Sequence, residues 1–327
     1  MTHYSNPQIP EGINVTKEHP LKDFFWMLAG VGMVVILALT ILMFSAEYLL
    51  RYIPHTTERA LADSVLDWDS FRLAEPPSSS DTPPDIQQAQ ASPSHKASLT
   101  TDQQKVELYL QTLANQMLTT AGGDTAEASA AIPVTIHFLD HDMVNAFATL
   151  GGHIFMARGL LAKMPNENAM AMVLAHEIAH VQRRDPLIAT GRGLVIALAA
   201  FTLLGAGDGQ MAQQLVGQIN LVTSLKLSRD AENQSDALAL TYLQQYYGHV
   251  EDADFLFTLL QQTKAQPFEW LSSHPDHDER IARIKQFASA HPSRMIAKPK
   301  ALPSWWDEVM SPSAQDEQAD TATDTLP

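Results

Sequence analysis

The longest hydrophobic run in the chain lies near its N-terminus, where 23 consecutive uncharged residues separate Asp23 from Glu47. As a helix rising about 1.5 Å per residue, this run would extend roughly 34 Å, enough to cross the hydrocarbon core of a bilayer. Trp26 lies at one edge and Tyr48 just past the other, where interfacial aromatic residues are expected. A buried core helix and a cleaved signal peptide are the alternatives, but a signal peptide has a shorter apolar core. We therefore predict a transmembrane anchor over residues 24–46.

The rest of the chain divides into segments of different composition. Residues 74–100 contain five Pro, six Ser and no aromatic residue, so they cannot bury a core and are predicted to form a flexible linker. Residues 307–327 hold six acidic residues and no Lys or Arg, which predicts a disordered tail. The predicted order is an N-terminal segment (1–23), the anchor (24–46), an amphipathic juxtamembrane helix (47–73), the linker (74–100), one packed domain (101–290) and a C-terminal acidic tail (291–327).

Helical and strand-like periodicities alternate within the predicted domain. Apolar residues recur at helical spacing from Val106 to Met117, whereas residues 132–139 alternate as in a strand. Residues 151–156 have the composition of a second strand. Residues 169–184 are largely apolar and free of Gly and Pro, which predicts a buried helix.

A second apolar block covers residues 193–207, with 15 uncharged residues between Arg192 and Asp208. This length is short for a transmembrane helix. A core helix is the preferred interpretation, and shallow contact with the membrane is the alternative.

Composition restricts the chemistry that the domain can carry. The 327 residues include 21 Lys and Arg against 37 Asp and Glu, a formal net charge of −16, which argues against nucleic acid as a partner. The chain contains no cysteine, which excludes disulfides, thiol catalysis and cysteine-ligated metals. A metal site would have to use His, Asp and Glu, and the chain has 13 His.

The predicted buried helix carries the sequence HEIAH, with His176, Glu177 and His180. Residues four apart share one helix face, so the two imidazoles can occupy adjacent corners of a tetrahedral Zn²⁺ site. Glu177 is one position round the helix and can act on a water beside the metal as a general base. Chance would produce roughly 0.02 matches to this pattern per chain of this composition. We therefore interpret it as a zinc hydrolase motif.

A third protein ligand is needed if water is to hold the fourth position. No His follows within six residues of His180, so the ligand must come from elsewhere. The best candidate is Glu232, in a segment that also resembles a helix. Asp236 lies one turn later on the same face and could accept a hydrogen bond from a ligating imidazole. The alternative for both carboxylates is a solvated helix face.

Four motifs in order give the chain a resemblance to a known family: NAFATLGGHIFMARGLL (145–161), HEIAH, ENQSD (232–236) and SSHPDHDERIARI (272–284). Together they resemble the gluzincin peptidase family M48, over about residues 101–290. The single anchor is similar to the bacterial and mitochondrial quality-control members of that family rather than to its polytopic members. The resemblance implies a mainly α fold with a small β-sheet (α+β), namely a zincin-like metalloprotease domain behind a transmembrane helix. It also implies one Zn²⁺ per chain, bound by His176, His180 and Glu232, with Glu177 as the catalytic acid and base and Asp236 behind the ligands.

The resemblance adds two further residues and shows two departures. His274 matches the His of the family's HP motif, where it could stabilise the oxyanion or occupy the open zinc position at rest. Arg280 matches the Arg that follows, which could pair with an active-site carboxylate or pack the helix. The family often has ExEAD, whereas this chain has Gln234 and Ser235 in place of the second acid and the Ala.

A substrate-binding strand is also expected beside the zinc helix. In gluzincins an edge strand follows the cleft, and here the matching residues are Gly152, His153, Ile154 and Phe155. An extended peptide could add to this edge through main-chain hydrogen bonds. An ordinary sheet strand is the alternative.

These observations predict a membrane-anchored zinc endopeptidase that acts on unfolded or damaged polypeptides. A catalytically silent, membrane-tethered chaperone with the same fold and a zinc hydrolase of another bond are the alternatives. Two positively charged residues flank the anchor on each side, so the charge distribution does not predict its orientation in the membrane. The absence of cysteine and the resemblance favour the inner membrane, with the domain on the extracytoplasmic side. The oligomeric state is left open.

Overall fold

The fold is built from helices around one small sheet. The computed structural model describes residues 20–65, 100–122, 131–204, 228–262, 270, 274, 277–293 and 298–311. Their helices are α1 (Pro20–Leu50), α2 (His55–Val65), α3 (Thr101–Gly122), α4 (Arg158–Leu161), α5 (Glu167–Arg183), α6 (Asp185–Leu204), α7 (Arg229–Tyr247), α8 (Phe255–Gln262), α9 (His277–Ala290) and α10 (Trp306–Met310). Their strands are β1 (Thr135–Leu139), β2 (Ala146–Ala148) and β3 (His153–Ala157).

The sheet has the strand order β1-β3-β2, with β1 parallel and β2 antiparallel to β3. Helix α5 packs against the sheet and between α3 and α7. Its side chains are buried from Glu167 to Val181, because apolar residues surround it on the sheet side and on both helix sides. The prediction of a mainly α fold with a small sheet is confirmed.

The predicted edge strand over Gly152–Phe155 is wrong. Strand β3 is the central strand, and it pairs with β1 along His153–Ala157 and with β2 through Ile154, Phe155 and Met156. Gly152 belongs to the 3-10 turn Leu150–Gly152 that precedes the strand. The error arose because β2 is only three residues long, too short to give a periodic pattern that would show a third strand beside β3.

Helix α1 contains the predicted anchor. Among the described residues it is the one helix long and apolar enough to cross a membrane, by length and composition. The single juxtamembrane helix predicted over residues 47–73 is interrupted, because α1 ends at Leu50 and α2 begins at His55. Pro54 explains the break, since proline lacks an N–H donor and disfavours helical backbone in the residue before it. The predicted linker lies outside the described residues except for Thr100.

Helix α2 is docked on the domain rather than separate from it. Oε1 of Glu58 accepts a hydrogen bond of 3.0 Å from the backbone N–H of Gly151. Nη2 of Arg59 donates to Oγ1 of Thr135 at 2.9 Å, and Oδ1 of Asp63 lies 3.2 Å from Nε2 of His153. These three contacts hold α2 against the end of the sheet.

The C-terminal segment 298–311 packs back on the domain. Trp306 and Met310 are buried, and the Lys300 ammonium lies 2.9 Å from Oε2 of Glu167 at the start of α5. The prediction of a disordered tail from residue 307 is therefore wrong for α10, whose apolar residues join the core. Residues 312–327 lie outside the described part of the chain.

Candidate metal centre

Helix α5 brings His176, Glu177 and His180 to the centre of the domain. The helix begins where the side chain of Asn166 accepts a hydrogen bond of 3.0 Å from the backbone N–H of Ala169, an N-cap that satisfies one free donor of the first turn. The side chains of His176, Glu177 and His180 are each 1% exposed. His176 and His180 are one turn apart, and their Nε2 atoms lie 2.9 Å from each other.

Helix α7 contributes the carboxylates from the opposite side. Its N-cap is Ser228, which accepts a hydrogen bond of 3.2 Å from the backbone N–H of Ala231. Glu232 and Asp236 are one turn apart and are each 2% exposed. The alternative of a solvated helix face is therefore wrong, because α7 packs this face directly on α5.

Four donor atoms converge between these helices and His274. Nε2 of His176 lies 3.3 Å from Oε2 of Glu232, and Nε2 of His180 lies 3.6 Å from Oε1 of Glu232. Nδ1 of His274 lies 3.3 Å from Nε2 of His176 and 3.0 Å from both oxygens of Glu232. Ligand bonds of about 2.0–2.1 Å in a tetrahedron give edges of about 3.3 Å. Five separations among these donor atoms range from 2.9 to 3.6 Å, so the group is compatible with a metal ion of that kind.

The Nδ1 atoms of the two α5 imidazoles are occupied by other carboxylates. Nδ1 of His176 lies 3.0 Å from Oδ1 of Asp236, and Nδ1 of His180 lies 2.9 Å from Oδ2 of Asp185. A donor bond from Nδ1 leaves the Nε2 lone pair for a metal and fixes the orientation of the ring. Both rings are thus oriented with Nε2 toward the same point.

Arg280 supports the carboxylates from α9. It is completely buried, and its Nε and Nη2 atoms donate to the two oxygens of Asp236 at 2.8 and 2.6 Å. Its Nη1 atom lies 3.0 Å from Oε2 of Glu232. The guanidinium also lies over the rings of Phe257 and Trp270, with its carbon 4.3 and 5.0 Å from their centroids. Both alternatives for Arg280 are therefore present, since it pairs with active-site carboxylates and also packs against neighbouring side chains.

The carboxylates create a field that favours positive charge at the centre. Burial by itself lowers the pKa of His176, but hydrogen bonds to Asp236 and Glu232 raise that pKa to about 9. Burial raises the pKa of Asp236, yet His176 and Arg280 outweigh it and hold that pKa at about 2. The pKa of Glu232 is likewise well below its usual range, because His274 and His176 overcome the effect of burial. Glu232 and Asp236 are therefore held ionised, and an ionised carboxylate is the form that ligates a divalent metal.

Glu177 is adjacent to the four donors but is not one of them. Its Oε1 atom is buried and accepts no hydrogen bond among the described residues, and it lies 3.6 Å from Nε2 of His274. The ring of His274 stacks on Trp270 at 4.7 Å. A buried, proton-accepting oxygen is thus held beside the candidate metal position.

Two residues of the site were missed by the sequence argument, Asp185 and Ser235. The hydroxyl of Ser235 lies 3.0 Å from Nδ1 of His180 and 3.5 Å from Oδ2 of Asp185. The replacement of Ala by Ser at this position therefore adds a polar contact to the site. Gln234, the other departure, accepts a hydrogen bond from Nη1 of Arg183 outside the centre.

Comparison with known proteins gives a consistent picture. Residues 105–288 match Peptidase family M48. The chain is 28% identical over 193 residues to the beta-barrel assembly-enhancing protease of Yersinia pestis. The aligned region covers 55% of this chain and 38% of that protein. The chain is 26% identical over 183 residues to the mitochondrial metalloendopeptidase OMA1 of Danio rerio, with 52% and 38% covered. It thus spans about two fifths of the length of these relatives.

The match to the family covers more than half of the chain and includes every element that contributes a donor atom. The buried group formed by His176, His180, Glu232 and His274 has the composition of a metal site. The chain therefore belongs to peptidase family M48, a family of metal-dependent peptidases.

Proposed function

We propose that this protein is a membrane-anchored zinc endopeptidase that cleaves unfolded polypeptide segments. The observation that carries the proposal is the set of four buried donor atoms within 4.8 Å of one another, with Glu177 beside them. Three imidazoles and one carboxylate favour zinc, because Mg²⁺ and Ca²⁺ take mainly oxygen ligands. We assign His176, His180 and Glu232 as the ligands that remain in the active enzyme.

The side chains of the centre divide the work of peptide hydrolysis. Zinc, when bound, supplies Lewis acidity that activates water near neutral pH. Glu177 takes the proton of the attacking water at Oε1 and passes it to the leaving amine. Asp236 and Asp185 hold the two imidazoles in the orientation that ligation requires, and Arg280 neutralises the buried carboxylates behind them.

His274 has two candidate roles, and its geometry favours one of them. Its Nδ1 atom completes the set of four donors, whereas a catalytic zinc site keeps one position open. We infer that His274 would hold the metal together with the three other donors at rest, and that its withdrawal would make room for substrate. Its stacking on Trp270 and its 3.0 Å backbone hydrogen bond to the same residue stabilise the resting arrangement.

Among the described residues no strand pairs with the outer edge of β2, and this edge offers a place for substrate backbone. The backbone of Asn145 and Thr149 bonds toward β3, so the groups of Ala146 and Ala148 between them point away from it. At the same edge, the carbonyl of Val144 accepts a hydrogen bond of 3.3 Å from the backbone N–H of Trp270, the residue that stacks on His274. An extended peptide added here would bind through main-chain groups, without demand on sequence.

The proposed location follows from α1 and from the relatives. Those relatives are named for beta-barrel assembly and for mitochondria, and α1 has the length and composition of a membrane span. We propose a single anchor in the inner membrane, an extracytoplasmic domain, and quality control of envelope or membrane proteins as its role.

The direct test is hydrolysis of a fluorescent, unfolded casein by the full-length protein in detergent. We expect Glu177→Gln to retain one zinc per chain while turnover falls by about 10²–10⁴-fold, the usual effect of losing a general base. Glu279→Gln is the control, because Glu279 is a 71% exposed acid on α9. Zinc-loaded Glu177→Gln protein that cleaves at the parental rate would refute the assignment of the base. Zinc-loaded parental protein that binds but never cleaves unfolded chains would favour the silent chaperone.

A further inference from the structure

Helix α6 begins at the metal centre and immediately contacts the end of α1. Its first residue is Asp185, and Arg184 before it has the left-handed backbone angle φ of 62°, which turns the chain out of α5. Nη1 of Arg184 donates to the backbone carbonyl of Leu50 at 3.2 Å and also to that of Ile53. The start of α6 and the C-terminal end of α1 therefore lie together.

From that point α6 runs back along α1. The two helices pack against each other, and the contact at Gly191 is so close that an added Cβ would lie 2.2 Å from Cδ1 of Leu50. The half-buried residues of α1 lie three or four positions apart, at Gly32, Val35, Leu39 and Met43, which places them on one helix face. That face extends about 27 Å from residue 32 to Leu50 at the helical rise.

Exposed apolar side chains lie on both helices in the part of the chain whose side chains the structure describes. On α1, Ile36 is 67% and Phe44 is 71% exposed. On α6, Leu187 and Ile188 are buried in the domain, but Leu194 is 56% exposed. Within the block predicted as a core helix, Val195 is buried as predicted, whereas the side chain of Leu194 is exposed.

The charges of α6 fit a boundary between water and lipid. Its last charged residue is Arg192, next to the contact with Leu50, and the twelve residues 193–204 that follow are uncharged. At the helical rise they extend about 18 Å, or little more than half of a hydrocarbon core. A helix satisfies its own backbone hydrogen bonds, so it can enter lipid without spanning it.

We propose that the bilayer covers these apolar side chains: α6 is a second membrane-embedded helix, packed on α1 and inserted to about half depth. The proposal rests on the proposed anchoring of α1, against which α6 packs. It also narrows the class of substrate. His180 lies one turn from Arg184, which contacts the end of α1, so the metal centre is held close to the membrane surface. Polypeptide segments near that surface are then the accessible substrates.

The absence of cysteine makes the test direct, because each introduced thiol carries the only label. Single Leu194→Cys and Phe201→Cys proteins, whose labelled positions are about two helical turns apart along α6, are coupled to an environment-sensitive fluorophore. Ile36→Cys on α1 is the membrane reference, and Leu108→Cys is the aqueous control, since Leu108 on α3 is 69% exposed. The zinc-loaded, full-length proteins are reconstituted in phosphatidylcholine and phosphatidylglycerol vesicles whose acyl chains carry bromine, which quenches fluorophores within the hydrocarbon.

We expect labels at positions 194 and 201 to be quenched at least half as strongly as the label at position 36, more strongly at 201, and the label at position 108 to be unaffected. Retained casein hydrolysis by each labelled protein shows that it is folded. Quenching at position 36 without quenching at 194 and 201 overturns the proposal and leaves the anchor intact. Absence of quenching at position 36 as well refutes the anchor, and the proposal for α6 with it.

Discussion

Oδ2 of Asp185 lies 2.9 Å from Nδ1 of His180, so the first residue of α6 orients a proposed metal ligand at the end of α5. The hydroxyl of Ser235 contacts the same nitrogen. Helices α5, α6 and α7 are thus joined at one imidazole. The fixed orientation of His180 is the property that the first prediction tests.

We expect Asp185→Ala to weaken zinc binding by about 10–100-fold, the usual effect of removing a carboxylate behind a ligating imidazole. Asp185→Asn should recover much of the affinity, because its amide oxygen can still accept from Nδ1. Competition with a chromophoric zinc chelator measures both. Asp142→Ala is the control, since Asp142 is a 67% exposed acid away from the centre. Equal zinc affinity in Asp185→Ala and the parental protein would contradict the positioning role.

We expect His274→Ala to raise the rate of casein hydrolysis at saturating zinc and to lower zinc affinity. Removal of the fourth donor opens a position for water in the resting protein. A residue that stabilises the oxyanion would behave oppositely, because losing such a donor lowers kcat by about 10²–10³-fold. Steady-state kinetics at matched zinc content therefore separates the two roles, and a lower kcat would exclude the resting-ligand assignment.

We expect Arg280→Gln to destabilise the metal-free protein by about 3–5 kcal/mol, because it leaves Asp236 and Glu232 buried without their cation. Arg280→Lys should not restore the loss fully, since an ammonium cannot make the bidentate contact with Asp236. Arg283 is the control. It is 32% exposed and lies 3.8 Å from the same carboxylate, so Arg283→Gln should cost less than about 1 kcal/mol. Denaturant unfolding in the presence of a chelator gives the three values, and similar losses for Arg280→Gln and Arg283→Gln would contradict the prediction.

We expect His153 to lower the free energy of unfolding of the protein in acid. Burial, reinforced by the Arg59 cation, lowers the pKa of His153 from 6.5 to about 4. Between these two pH values the unfolded chain binds a proton that the folded protein does not, so the free energy of unfolding falls as the pH falls from about 6.5 toward 4. His153→Gln removes this contribution.

The measurement is the free energy of unfolding of both proteins from pH 7 to pH 4. The parental protein should lose more stability over that interval than His153→Gln, while pH effects of the metal centre are common to both. Parallel pH profiles would show that His153 titrates equally in the folded and unfolded states. Asp63 contacts Nε2 of His153, and His137 contacts its Nδ1. His141→Gln, a histidine substitution at a separate position, serves as the control.

Sequence reasoning was most successful where the chemistry lies within one regular helix. The spacing of His176 and His180 and that of Glu232 and Asp236 both follow from the helical repeat, and the structure brings the two pairs together. Asp185 could not be found in this way. It is five residues from His180, and it returns to the imidazole only because Arg184 has a left-handed backbone.

The strand order of the sheet and the docking of α2 also cannot be predicted from the pattern of hydrophobic and polar residues. Three-residue β2 has no recognisable alternation, so central β3 was mistaken for an edge. Helix α2 docks through single polar contacts, such as that between Glu58 and the backbone of Gly151. Contacts of this kind depend on tertiary geometry and leave no periodic signal.

The docking of α1 and α2 changes what a break in the chain would do. Helix α2 is bound to the domain through Glu58, Arg59 and Asp63, and α1 is bound through α6. Hydrolysis of the chain between residues 66 and 99 would therefore yield two fragments that stay associated, like the subunits of a heterodimer. With α1 as the proposed anchor, the peptidase domain would stay on the membrane after such a nick, retained by side-chain contacts rather than by a peptide bond.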